Sequence, residues 1–315
     1  MTDAQFQAQD NPFLGVLLML AFCALIPLSD ALGKILGATL PIALIVLARV
    51  SVQVGLLAPL ARLRGEALMP PRGLWGVIVL RTLLYIGGIG LMFTSLRYLP
   101  LADAVAIAFV MPFIMLLLGH AFLGEEVGPR RVIACAVGFL GTLMVIQPSF
   151  ADVGPPALLP VGVAVLFAFF MLITRQIAKS VEPVALQAIT GALAALVLVP
   201  ALLAGTLFGW ADIRFAAVDG TEAWMLLAMA IIGSIAHLLM TWSLRLAPSA
   251  TLAPMQYLEI PFATIIGYLI FRDLPNGLAA LGIIVTISAG LYIIARERRE
   301  PRRGQPAATT PERLP

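Results

Sequence analysis

Residues 92–100 read MFTSLRYLP, and residues 240–248 read MTWSLRLAP, so one Ser-Leu-Arg-x-x-Pro motif occurs twice, 148 positions apart. After one inserted residue the register continues at an offset of 149. Four further positions then match: Pro112 with Pro261, Phe122 with Phe271, Gly128 with Gly277, and Gly141 with Gly290. The chain therefore reads as two copies of one unit.

The composition places both units in a membrane. Of the 315 residues, 61% are hydrophobic and 12% are charged, whereas a soluble domain has roughly 45–50% apolar and about 25% charged residues. The mean hydropathy is +1.00. A soluble globular domain, a disordered chain, a coiled coil and a collagen are all excluded by these values.

Apolar runs bounded by Pro, Gly and charged residues predict ten membrane-spanning helices. A span needs roughly 20 apolar residues, and each run is apolar throughout, which favours helices over barrel strands. Because five spans per unit is an odd number, the second unit enters the membrane inverted, as in many secondary transporters. The predicted spans are 14–36, 40–60, 74–95, 100–121, 130–147, 157–178, 184–205, 222–243, 249–271 and 277–296.

The distribution of basic residues predicts the orientation of the chain. With both termini in the cytoplasm, fourteen of the 20 Lys and Arg lie on the cytoplasmic side. The N-terminal stretch lacks the basic region of a cleaved signal, so we expect the first span to be retained. These features predict a multi-pass protein of a bacterial-type inner (plasma) membrane. Four basic residues would face outward: Lys34, Arg97, Arg214 and Arg272.

The predicted organisation is all-α, with two five-helix units between short tails. We expect a cytoplasmic tail at 1–12, a first unit at 13–148, a periplasmic linker at 149–156, a second unit at 157–296, and a basic, disordered cytoplasmic tail at 297–315.

Two long stretches carry a family resemblance: SLRYLPLADAVAIAFVMPFIMLLLGHAFLGEEVGPRRVIACAVGFLGTLMVIQP at 95–148 and SLRLAPSATLAPMQYLEIPFATIIGYLIFRDLPNGLAALGIIVTISAG at 243–290. They resemble the ten-helix, EamA-type members of the drug/metabolite transporter superfamily. That family closes its fourth helix on Leu-Gly-Glu; this chain has LGEE at 123–126 and departs to FRDL at 271–274. The resemblance implies an alternating-access transporter of small metabolites such as riboflavin, S-adenosylmethionine, amino acids or drugs, in either direction.

Glu259 is the first candidate substrate residue, because its predicted position is near the membrane midplane. Pro254 and Pro261 flank it, and each proline removes a backbone hydrogen bond. Gln256 shares the face of Glu259 at a spacing of three. An ionisable residue on a weakened helix predicts a substrate site, with proton coupling as a further hypothesis. A structural carboxylate bonded to a neighbouring helix is the alternative.

Arg81 is the second candidate, and Tyr85 follows it one helical turn later. A planar guanidinium suits a substrate carboxylate or phosphate, whereas the alternative is a structural pair with an acid or with helix carbonyls. Tyr85, Tyr257 and Phe109 are candidates for stacking on an aromatic ligand such as riboflavin. A cation would favour Glu259, and an amino acid would use Glu259 together with Arg81.

Asp30 and Arg49 are predicted at similar depths on neighbouring spans, where they could form an ion pair. A pair that breaks and re-forms would serve as an outer gate. Asp30 also has Lys34 four residues later, a stabilising arrangement within one helix, so a purely structural role is the alternative.

His237 lies on a polar stripe of the eighth span with Ser234 and Thr241. An imidazole titrates near neutrality, which makes His237 a candidate substrate residue. A histidine that only bonds a neighbouring helix is the alternative.

No cofactor is predicted. Cys23 and Cys135 lie in apolar runs and are interpreted as small hydrophobic residues, and no group of His, Cys, Asp and Glu has metal-ligand spacing. The predicted partners are a small-molecule substrate and the lipid bilayer, not nucleic acid, while monomer and homodimer both remain open. The alternative functions are a scaffold or channel and, least favoured, a membrane-embedded enzyme, which would need an activated nucleophile or a metal set.

Overall fold

A computed structural model describes residues 11–123, 129–247, 252 and 255–297. The predicted terminal tails and residues 124–126 of the LGEE motif lie largely or wholly outside this part of the chain. The described α-helices are α1 (Pro12–Gly37), α2 (Ile42–Leu63), α3 (Trp75–Ser95), α4 (Leu101–Ala108), α5 (Met111–Leu123), α6 (Pro129–Val153), α7 (Leu159–Ile177), α8 (Pro183–Phe208), α9 (Gly220–Leu246), α10 (Glu259–Phe271) and α11 (Gly277–Glu297).

The all-α fold predicted from the apolar runs is confirmed. Among the described residues, eight helical segments are long and apolar enough to cross a membrane. Two shorter apolar helices, Glu259–Phe271 and Gly277–Ala289, lie where the ninth and tenth spans are expected. The total of ten spans stays a prediction.

The fifth span is longer than its sequence pattern predicts. α6 continues past the expected end at 147 and reaches Val153, so most of the expected linker at 149–156 is helical. Gly154 ends the helix with a φ of 71°, a conformation that glycine adopts without steric cost.

The helix packing follows the inverted relation of the two units. α1 packs on α9, and the equivalent pair, α7 and α3, also pack together. α2 packs on α8 and α6 on α11, so each of these pairs joins equivalent helices of the two units. This packing agrees with an inverted repeat of two related units.

Glycine allows α6 and α11 to approach closely. A Cβ atom on Gly282 would lie 2.5 Å from the carbonyl oxygen of Gly141, and the Thr286 hydroxyl donates to the Gly138 carbonyl at 3.3 Å. Small residues at helix contacts are the usual way in which membrane helices pack.

Two helices are interrupted at related positions of the repeat. A turn at 109–110 separates α4 from α5, and a turn at 257–258 precedes α10. The offset of 149 superposes position 109 on 258, and Pro112 and Pro261 follow the two turns in register. Broken helices at matching places in two inverted units are typical of the region around a transporter's substrate site.

Candidate substrate site

A central cavity lies between the two units, beside both helix breaks. Residues from α1, α2, α3, α4, α5, α7, α9 and α10 line it. The volume open to water molecules is ≈ 70 Å³, far below the roughly 300–1,000 Å³ of a small-molecule site. This conformation is therefore too closed to hold a metabolite. The charged and titratable lining residues are Asp30, Arg49, His237 and Glu259.

Most of the cavity wall is apolar and rich in aromatic rings and thioethers. Such side chains suit a flat aromatic ligand, because rings stack and methionine adapts its shape. Of these residues the sequence singled out only Phe109. Phe167 is a second aromatic residue of the wall. A Cβ on Gly88 would lie 2.6 Å from its ring, so the glycine at position 88 makes room for it. The phenylalanines and methionines are Phe22, Phe109, Phe167, Met92, Met111, Met171 and Met240.

Arg49 reaches the cavity from α2 and is bound by two neighbouring helices. One terminal nitrogen donates to the Ser29 hydroxyl at 2.9 Å, and the other lies 2.9 Å from Nδ1 of His237. Asp30 lines the same cavity and attracts Arg49, but no ion pair within 4.0 Å joins them in the described part of the chain. In place of the expected direct pair with Asp30, the two terminal nitrogens of Arg49 contact Ser29 and His237 in this conformation.

Glu259 is the first residue of α10, directly after the break. The N-terminus of a helix carries a partial positive charge that favours a carboxylate. Asp30 faces the same cavity and repels an ionised Glu259. From α1, the Cys23 thiol lies 3.6 Å from the carbonyl oxygen of Met255, which ties α1 to the segment before the break.

A chain of hydrogen bonds joins α3, α2, α8 and α9 next to the cavity wall. The Tyr85 hydroxyl donates to the Gln53 side-chain oxygen at 2.8 Å, and the Gln53 amide donates to the Gln187 carbonyl at 2.7 Å. The Gln187 amide then donates to the His237 carbonyl at 3.0 Å and to the Thr241 hydroxyl at 2.7 Å. Tyr85 is fully buried and is not among the cavity-lining residues.

Arg81 is also fully buried and does not line the cavity. Its Nε donates to the Thr174 hydroxyl at 2.8 Å, and a terminal nitrogen bonds the Thr190 hydroxyl. Its guanidinium carbon lies 4.4 Å from the centroid of the Phe170 ring. These contacts favour the structural alternative for Arg81, with threonines in place of the expected acid or carbonyls.

Gln256 and Tyr257 stand beside the break, outside the cavity lining. The Gln256 amide nitrogen lies 3.3 Å from the Met171 sulfur. Tyr257 is 2% exposed and packs behind Phe109, with ring centroids 5.4 Å apart. The turn at 257–258 also interrupts the helix on which Gln256 was expected to share a face with Glu259.

An inverted helical repeat with a cavity at two helix breaks defines a secondary transporter. The model of the EamA-like transporter family matches residues 13–147 and 155–296. The chain belongs to this family, and it is a multi-pass membrane transporter of metabolites.

Curated relatives differ in the molecules that their names mention. A riboflavin transporter of Rhizobium johnstonii is 31% identical over 224 residues, which are 69% of this chain and 69% of the relative. An S-adenosylmethionine uptake transporter of Rickettsia bellii is 27% identical over 71% of this chain and 74% of its own. The pseudopaline exporter CntI of Pseudomonas aeruginosa is 28% identical over 87% of this chain and 94% of its own.

A solved crystal structure of a protein shares the fold. It superposes with a TM-score of 0.67 at 20% sequence identity and covers 91% of this chain and 98% of the solved one.

Proposed function

We propose that this chain is an alternating-access carrier for a metabolite with a planar aromatic ring, and that riboflavin is its first candidate substrate. The central cavity carries this proposal. Phenylalanines and methionines form most of its wall, and four titratable or charged residues are available for the polar end of the ligand. The name of the Rhizobium johnstonii relative agrees with this chemistry.

The small size of the cavity supports the proposal of alternating access. A volume of ≈ 70 Å³ holds only a few waters, because a water needs roughly 10–15 Å³ of such volume. Helices around the cavity must therefore separate before a metabolite can enter. The inverted relation of the two units gives each membrane face an equivalent set of helices that can separate.

S-adenosylmethionine is the second candidate substrate. Asp30 and Glu259 supply two acidic side chains to the cavity, against one arginine. A cationic substrate would relieve the repulsion between the two acids, whereas neutral riboflavin would not.

Three residues of the cavity are proposed for proton coupling and gating. Glu259 is the candidate residue for proton coupling, with substrate exchange as the alternative. Asp30 and Arg49 would act as a gate whose direct pair forms in another state of the cycle.

Both termini would face the cytoplasm, as the bias of Lys and Arg predicts. A cytoplasm-dependent fluorescent reporter fused after residue 297 should be active; an inactive reporter on a well-inserted protein contradicts the orientation.

Counterflow in proteoliposomes tests the proposal. Vesicles loaded with unlabelled riboflavin should accumulate labelled riboflavin transiently and with saturation, and a parallel panel uses S-adenosylmethionine and individual amino acids. Stimulation by substrate on the opposite side indicates a carrier. Non-saturating flux without such stimulation indicates a channel, and the absence of flavin exchange beside robust S-adenosylmethionine exchange selects the second substrate.

A further inference from the structure

Arg49 and His237 meet through a contact that determines which imidazole nitrogen carries the proton. A guanidinium only donates hydrogen bonds and stays protonated in proteins. Since Arg49 lies 2.9 Å from Nδ1 of His237, Nδ1 has to accept with its lone pair. The Gly233 carbonyl is 3.1 Å from the same nitrogen, but a proton placed there would face the Arg49 N–H group. The contact with Arg49 therefore favours neutral His237 with its proton on Nε2.

This pair leaves two N–H donors without a hydrogen-bond partner among the described residues. They are Nε of Arg49 and Nε2 of His237, and each side chain belongs to a residue that is 1% exposed. Both residues line the central cavity. An unpaired buried donor is costly and uncommon, so the two donors are candidates for acceptors on a bound molecule.

The pair is held in place by its surroundings. Ser29 accepts from Arg49 at 2.9 Å. A Cβ on Gly233 would lie 2.7 Å from a terminal nitrogen of Arg49, so the guanidinium keeps this position only while residue 233 has no side chain. The His237 ring packs edge-on against Tyr85, with centroids 5.0 Å apart. Donors fixed in this way bind a ligand with less loss of conformational freedom.

We infer that Arg49 and His237 form the subsite that selects the substrate, by donating from Nε and Nε2 to carbonyl or carboxylate oxygens next to its ring. This inference rests on the proposed function. It gives Arg49 the substrate-binding role that the sequence predicts for Arg81.

Nitrogen NMR of the full chain in lipid nanodiscs tests the donor assignment without needing a substrate. The chain has two histidines, His120 and His237, so a His237→Gln variant assigns both signals in histidine-labelled protein. We expect His237 to carry its proton on Nε2 with Nδ1 unprotonated. Adding riboflavin should shift the Nε2 signal of His237 and leave His120 unchanged. A proton on Nδ1 overturns the inference.

Transport kinetics test the selectivity. Gly233→Ala forces the guanidinium of Arg49 out of its position and should raise the half-saturation concentration of riboflavin exchange roughly 10- to 100-fold. Gly55→Ala is the matched control on α2, since its added Cβ meets nothing within 4 Å. Equal half-saturation concentrations in the two variants overturn the subsite. If wild type exchanges neither riboflavin nor S-adenosylmethionine, the proposed function fails, while the proton position on His237 still decides the donor assignment.

Discussion

Arg97 and Arg245 occupy the same position of the repeated Ser-Leu-Arg motif, and each binds the connection between the first and second helices of its own unit. Arg97 donates to the carbonyl oxygens of Gly37 at 2.7 Å and Leu40 at 3.0 Å. Arg245 binds both carboxylate oxygens of Glu182, the residue before α8, at 2.5 and 2.8 Å. Because the units are inverted, the repeated arginine closes the same helix junction at opposite ends of the bundle.

Arg97 also crosses between the units, and its removal should loosen one end of the bundle. One terminal nitrogen lies 2.5 Å from the Asp212 carboxylate in the α8–α9 connection. Arg97→Ala leaves two carbonyls and this carboxylate without their donor, which should cost about 1–3 kcal/mol and lower the midpoint of thermal unfolding in detergent. Arg214→Ala is the control, because Arg214 is exposed and makes one long contact of 3.4 Å. Equal midpoints would contradict this role for Arg97.

At the other end, Arg245 and Glu182 should be energetically coupled. Their bonds are bidentate and charge-assisted, but Glu182 is 34% exposed, so solvent screening limits the coupling to about 0.5–1 kcal/mol. A double-mutant cycle with Arg245→Gln and Glu182→Gln measures it through thermal unfolding. Additive effects of the two substitutions would show that the pair contributes nothing.

Gly88 should control the shape of the cavity through Phe167. Since a Cβ at Gly88 would lie 2.6 Å from the Phe167 ring, Gly88→Ala should displace the ring and raise the half-saturation concentration for the transported substrate several-fold. Gly90→Ala is the matched control on the same helix, where the added Cβ meets nothing within 4 Å. Unchanged kinetics in Gly88→Ala would mean that Phe167 does not contact the substrate.

Tyr85→Phe should lower stability while leaving substrate affinity unchanged. The substitution removes the donor to the Gln53 side-chain oxygen, and a buried acceptor left unpaired costs about 1–3 kcal/mol. Thermal unfolding measures the loss, and counterflow kinetics measure the affinity. A raised half-saturation concentration in a protein of normal stability would return Tyr85 to the substrate site.

The sequence predicted the helices and the inverted repeat because apolar length and the registered Ser-Leu-Arg and Pro positions are local signals. Depth along a helix could be estimated as well, and the structure brings Asp30, Arg49, His237 and Glu259 to one cavity. Which face of a helix lines the cavity depends on how all of its neighbours pack against it. For that reason the depth of Arg81 could be estimated from the sequence, but not the direction of its side chain. Arg81 contacts α7 and α8 instead of the cavity.

Contacts between distant parts of the chain account for the remaining differences. Gln256 and Glu259 would share a face on a continuous helix, but the turn at 257–258 separates them. The estimated depths allow Arg49 to pair with Asp30, whereas in the structure its terminal nitrogens contact Ser29 and His237. The pairing of α2 with α9 that brings His237 to Arg49 has no counterpart in any local sequence pattern.

Glu259→Gln should abolish proton-driven uptake without abolishing substrate exchange. The amide keeps the size of the side chain but cannot bind and release a proton, so proton-driven uptake should be lost while substrate exchange in counterflow persists. Asp30→Asn changes the second acid of the same cavity and, because Asp30 is the proposed gate, should lower exchange and proton-driven uptake together. Both activities are measured in the same proteoliposomes, with and without an imposed pH gradient. Equal loss of exchange and uptake in Glu259→Gln would assign Glu259 to substrate binding, and loss of uptake only in Asp30→Asn would transfer the coupling role to Asp30.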